Sequence, residues 1–171
     1  HISAINWKDA SFQEEFKEDI KDFEAEVGVC DIDPKERKYD WRFCKQILEL
    51  YGVSAHYMIE RNGTIRQLVQ DKDIAYHAGT SVMPDPDGRE DVNEFSIGIE
   101  LVSSHPDDDL DIENAIVPAY TESQYDALEI LLTHLCTKYS IPITKIVGHE
   151  DIAPGRKKDP GPFFKWQRIR R

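Results

Sequence analysis

Apolar residues recur at three- and four-residue intervals at Phe12, Phe16, Ile20, Phe23 and Val27, with acids and lysines between them. That spacing is one face of a helix, and Ser11 with Glu14 forms a capping pair at its start, so an amphipathic helix is predicted over residues 11–27. Residues 31–39 form a polar turn region containing Pro34, and residues 41–50 predict a second, shorter helix stopped by Gly52. Farther on, Tyr125, Leu128, Leu131, Leu132, Leu135 and Tyr139 repeat the helical spacing. Thr121 and Gln124 make a capping box there, and Pro142 closes the exit of a helix over residues 121–139.

The pattern changes between these helices. Residues 55–60 and 64–69 are short runs rich in apolar and β-branched side chains, separated by Arg61-Asn62-Gly63. Asn-Gly between two such runs is a hairpin signal, so two antiparallel strands are expected. A third strand is predicted over residues 95–102, where Ile97, Ile99 and Leu101 alternate with Gly98, Glu100 and Val102. The alternation puts Glu100 on the face opposite the three apolar residues. Residues 71–93 form a long connection broken by Gly79, Pro84, Pro86 and Gly88, of the kind that lines sites in small domains. A last short strand over residues 145–147 would deliver His149 at its end. Helices interleaved with a hairpin and single strands predict an α/β fold, a central mixed β-sheet flanked by helices.

A chain of 171 residues suits a single domain with one core. Its 33 acidic against 21 basic residues give a formal net charge of −12. That field repels phosphate backbones and anionic membranes, which argues against nucleic acid as a partner. Cys30, Cys44 and Cys136 are odd in number, lack close metal-ligand spacing and demand no disulfide scaffold. No stretch approaches a transmembrane length.

Chemistry concentrates near the C-terminus. His149 and Asp159 stand ten residues apart in a run too rich in Pro and Gly for a helix interior, which reads as an ordered loop. Two imidazoles and a carboxylate are a common zinc set that leaves a fourth position for water. His149 and Asp159 supply one imidazole and the carboxylate; His1, His56, His77, His105 and His134 compete for the other place. His134 within a helix and His105 in an acidic loop read as surface histidines. His56 divides between a buried structural histidine and a ligand, and His77 stands in a loop suited to substrate contact. Arg156, Lys157 and Lys158 place cations beside the pair.

Several stretches together carry a resemblance: His1-Ile2-Ser3-Ala4, Ser54-Ala55-His56-Tyr57 with Arg61-Asn62-Gly63-Thr64-Ile65, Tyr76-His77-Ala78-Gly79, Phe95-Ser96-Ile97-Gly98-Ile99-Glu100-Leu101, and Gly148-His149-Glu150 through Asp159-Pro160-Gly161-Pro162. In this order the chain resembles the zinc-dependent N-acetylmuramoyl-L-alanine amidases of the type-2 family, which includes the peptidoglycan recognition proteins. The resemblance implies the type-2 amidase (peptidoglycan recognition) fold over residues 1–171. It implies zinc held by His1, His149 and Asp159, with Glu100 and Lys157 as catalytic residues. His77 and Arg156 are the expected substrate contacts.

The aspartate at position 159 is similar to the anhydro-muropeptide amidase branch, where other branches carry cysteine. Ala55 stands where some relatives have a catalytic tyrosine, which leaves that task to Glu100. No strand precedes His1, whereas the family's first ligand ends a strand; on that ground the working protein is expected to contain residues ahead of His1, with His56 as the replacement ligand otherwise. The implied reaction is hydrolysis of the amide between N-acetylmuramic acid and L-alanine in peptidoglycan or muropeptide fragments, by a monomer. The cytoplasm is the expected compartment, or the periplasm or exterior if a leader lies outside the chain. The alternative is a non-catalytic muropeptide-binding module, which typically lacks a metal ligand.

Overall fold

The computed structural model describes residues 39–103 and 119–171 in full and the backbone of residues 2–5. The helix expected over residues 11–27 lies outside these. Four strands form one sheet in the order β1-β4-β2-β3: β1 (Ile2–Ile5), β2 (Tyr57–Ile59), β3 (Ile65–Gln67) and β4 (Ile99–Val102). β4 runs parallel to both β1 and β2, whereas β2 and β3 are antiparallel, so the sheet is mixed as expected. Glu100 is level with Ser3 on one side and Met58 on the other. Its strand is therefore internal to the sheet.

The β2–β3 hairpin closes as its Asn-Gly signal predicts. Gly63 takes a φ of +86°, its N–H donates to the Glu60 carbonyl at 2.9 Å, and the Asn62 side chain accepts the Thr64 N–H at 2.9 Å. The loop also abuts a helix: a Cβ on Gly63 would lie 2.7 Å from the Ser123 carbonyl oxygen, so the position needs glycine for space as well as conformation.

Helix α1 (Trp41–Leu50) has the predicted bounds, capped by Asp40, whose carboxylate accepts the Arg42 N–H at 2.8 Å. Helix α2 (Glu122–Tyr139) opens on the predicted box, with the Gln124 N–H donating to Thr121 Oγ1 and the Thr121 N–H to Gln124 Oε1. The buried Gln124 amide also donates to the carbonyls of Ile59 and Val102, fastening the start of α2 to two adjacent strands. Leu128, Leu131 and Leu135 are buried against Tyr57, Ile59, Ile99 and Leu101. Each such side chain contributes about 1.5–3 kcal/mol relative to exposure. Tyr139, the last residue of the predicted stripe, is exposed. The other face of the sheet carries Met58 and Val102, which pack with Cys44 of α1.

Three expectations are corrected. The third strand begins at Ile99 instead of Phe95, because Val92–Glu94 coils into a 3₁₀ turn and Ser96 Oγ donates back to the Val92 carbonyl. The strand expected over residues 145–147 is absent: Ile143–Lys145 is a 3₁₀ turn entered through Pro142, whose carbonyl accepts the Lys145 N–H at 2.8 Å. The run from Gly148 is not all loop, since His149 opens the four-residue helix α3 (His149–Ile152) before the chain turns at residues 154–156. A short helix α4 (Trp166–Ile169) packs against α2.

Candidate active site

His149 and Asp159 are brought together by the backbone around them. A Cβ on Gly148 would sit 2.7 Å from the Pro160 ring, so only glycine lets the two segments approach this closely. The Glu150 N–H donates to the Asp159 carbonyl at 2.8 Å, and the Tyr120 hydroxyl donates to the Pro160 carbonyl at 2.7 Å. Both site side chains are buried, and His149 Nδ1 lies 3.1 Å from Asp159 Oδ2.

The other nitrogen, Nε2, lies 3.3 Å from the Ala78 carbonyl oxygen. Both ring nitrogens thus face oxygen acceptors, while a neutral imidazole has one N–H to offer. With the proton on Nε2 toward Ala78, the Nδ1 lone pair and a carboxylate oxygen face one another. A cation on the Nδ1 side satisfies both, and an imidazole with a carboxylate is a zinc donor pair. Among the described residues no group of three His, Cys, Asp or Glu side chains converges, and His1 lies outside them.

The loop at residues 77–80 is held from two directions. Asn93 Oδ1 accepts the N–H groups of His77 and Ala78 at 2.9 and 2.8 Å. Arg156 Nη2 donates to the carbonyls of Ala78 and Thr80, each at 2.7 Å. The His77 ring is buried over Gly98, where an added Cβ would fall 2.3 Å from the ring. Burial pushes its pKa down to about 2, so the imidazole stays neutral.

Gly98 is two residues before Glu100 along the same run, so the His77 ring stands on the face to which Glu100 belongs. Glu100, on the face opposite Ile99 and Leu101 as the alternation placed it, is 5% exposed. His56 resolves to the structural side of its two readings. Its Nδ1 accepts the Gly98 N–H at 3.1 Å, which places the proton on Nε2, directed at the Asp73 carbonyl at 3.0 Å. Both nitrogens are committed to backbone, and burial lowers its pKa.

The family model described as N-acetylmuramoyl-L-alanine amidase (Amidase_2) matches residues 21–162. The chain belongs to this family. It is 41% identical over 140 residues to the 1,6-anhydro-N-acetylmuramyl-L-alanine amidase AmpD of Haemophilus influenzae, covering 80% of this chain and 65% of that protein. It is 43% identical over 118 residues to AmpD of Escherichia coli K12, covering 69% of this chain and 57% of that protein. The chain thus spans between about half and two thirds of the length of these relatives. A crystal structure of a selenomethionine derivative of AmpD superposes with a TM-score of 0.62 at 34% identity, covering 99% of this chain and 80% of that one. E. coli AmiD, in complex with anhydro-N-acetylmuramic acid-L-Ala-D-γ-Glu-L-Lys, gives 0.64 at 33% identity over 78% of this chain and 52% of that one.

The other residues named from the sequence are unevenly assembled. Lys157 and Lys158 are exposed, between the turn at residues 154–156 and the buried Asp159. The Arg156 and Lys157 N–H groups both donate to the Ala153 carbonyl, which closes that turn. His134 is exposed on α2, and His105 lies outside the described residues. Asn93 and Tyr120 escaped the sequence reading, because an asparagine in a long loop and a tyrosine before a helix cap carry no signal of the backbone groups they hold.

Proposed function

We propose that residues 1–171 form one zinc amidase domain that hydrolyses the amide between N-acetylmuramic acid and L-alanine in peptidoglycan or muropeptides. The carrying observation is the buried His149–Asp159 pair, an imidazole nitrogen and a carboxylate oxygen brought to 3.1 Å. His1, His149 and Asp159 would hold the zinc, which when bound supplies Lewis-acid polarisation of the carbonyl and a more acidic water.

The chain's own residues carry the protons and charges. Glu100 takes a proton from the attacking water and passes it to the departing amine nitrogen of L-alanine as the carbon–nitrogen bond breaks. Lys157 faces the carbonyl oxygen and stabilises its negative charge. His77 lines the site from the sheet side as a neutral group. The likeness to AmpD supports a shed or anhydro muropeptide as substrate and the cytoplasm as compartment. Among the described residues no helix is long and apolar enough to cross a membrane.

Metal analysis combined with mass spectrometry of digested muropeptides tests this reading. One zinc per chain is expected, with products that separate the stem peptide from the muramic acid carboxylate. A chelator abolishes turnover and added zinc restores it. Full turnover by metal-free protein overturns the zinc assignment, and binding without cleavage transfers the protein to the non-catalytic class.

A further inference from the structure

Arg156 reads from sequence as a substrate contact, but its guanidinium is engaged within the protein. Nη2 donates to the Ala78 and Thr80 carbonyls at 2.7 Å each, across 78 and 76 residues of chain. The guanidinium lies against Gly79, where a Cβ would come 3.2 Å from Nη1, and Gly79 holds a φ of +57°. A side chain there would be strained and would press on the arginine. On the far side of the same loop, Asn93 Oδ1 accepts the His77 and Ala78 N–H groups.

The carbonyl so held is the one that faces His149 Nε2 at 3.3 Å. A carbonyl can accept two donors, and Ala78 is placed to take the arginine N–H and the imidazole N–H together. The second ring nitrogen of a metal-binding histidine commonly donates to such a carbonyl, which fixes the tautomer and the ring's orientation.

We infer that Arg156 is a positioning residue for the metal site: through the 78–80 loop it holds the Ala78 carbonyl against His149 Nε2, so that the Nδ1 lone pair is presented on the Asp159 side. The inference rests on the reading of His149 and Asp159 as metal ligands. It differs from that reading in giving the arginine to the protein's own loop and not to the substrate. Asn93 serves the same loop from the amide side. Loss of either clamp therefore loosens the carbonyl that orients the ring, without removing a ligand.

Zinc affinity is read by competition with a chromophoric chelator for the wild type, Arg156→Ala, Arg156→Lys and Asn93→Ala, with thermal unfolding as a check on folding. KM and kcat for an anhydro-muropeptide are measured at saturating zinc. Arg156→Ala is expected to weaken zinc binding by about 10–100-fold, the scale for outer-shell partners, with KM within about twofold of wild type. Arg156→Lys, which keeps a donor near the two carbonyls, recovers part of the affinity, and Asn93→Ala shifts zinc affinity in the same direction as Arg156→Ala. Unchanged zinc affinity in Arg156→Ala overturns the inference whatever happens to kcat, and a raised KM beside it returns the arginine to the substrate. If Arg156→Ala does not fold, Arg156→Lys and Asn93→Ala decide, and wild-type zinc affinity in both overturns it. A wild type that takes up no zinc sinks the underlying ligand assignment instead.

Discussion

The two faces of the sheet are made by alternate residues of the same strands, yet they are held by different forces. Toward α2, Tyr57, Ile59, Ile99 and Leu101 meet the leucines of the helix in a continuous apolar layer. On the other side Met58 and Val102 pack with Cys44, while Gly98 and Glu100 share the face with the His77 ring and its loop. There the arrangement depends on directed hydrogen bonds: His56 to Gly98 and Asp73, Asn93 to the 77–78 amides, and Arg156 to the 78 and 80 carbonyls. Apolar burial is non-directional and tolerates small displacements, whereas a donor displaced by an ångström loses most of its bond. Damage on the first face should therefore appear as lost stability, and damage on the second as lost chemistry.

The largest expected effect tests the first half of that contrast. Leu128 is fully buried at the centre of the α2 layer, and Leu128→Ala is expected to cost about 2–5 kcal/mol in urea unfolding. Turnover per folded molecule should stay near wild type. A small stability change with a large loss of turnover would reverse the assignment of the two faces.

Glu100→Gln probes the other half. It keeps shape and volume on the buried inner strand, so zinc content and folding should hold while kcat falls about a hundredfold or more. Near-normal turnover moves the proton-transfer role away from Glu100.

The smallest effect concerns acid. Asp71 accepts from Tyr57, Lys138 Nζ and Tyr139, tying β2 and the loop after β3 to the end of α2. Burial alone would raise its pKa, but the hydrogen bonds from Tyr57, Tyr139 and Lys138 outweigh it and hold it at about 2. The unfolded chain, with an ordinary carboxylate value of about 3.9, takes up the proton first. The Asp71 contribution is therefore whole above about pH 4 and is lost as the pH falls toward 2. Urea midpoints followed from about pH 5.5 to 2.5 should fall less steeply for Asp71→Asn than for wild type. Parallel slopes would show that the Asp71 network does not govern acid stability.

How much of this was legible depended on how local the signal was. The bounds of α1, the Thr121–Gln124 box and the Asn62-Gly63 hairpin all follow from contacts within a few residues of chain. The alternation around Ile99 correctly assigned Glu100 its face, but not the internal position of its strand, which depends on pairing with β1 and β2. Residues 145–147 misled because Ile146 and Val147 favour strands, while Lys145 instead closes a turn on the Pro142 carbonyl. The spacing of His149 and Asp159 singled out two side chains that the fold does bring together, 3.1 Å apart. The bonds of Arg156 and His56 go to backbone groups distant in sequence, and residue type does not encode which carbonyl a side chain reaches.

Gly98 carries a consequence for how this sequence can vary. The hydrogen at its Cα faces the space in which a ring from a loop 21 residues earlier is seated, so the volumes at positions 77 and 98 are a shared quantity. A library that randomises either position alone samples mostly collisions or voids. One that varies both together explores the shapes the site can take, and the two positions are best read as a single letter of the sequence.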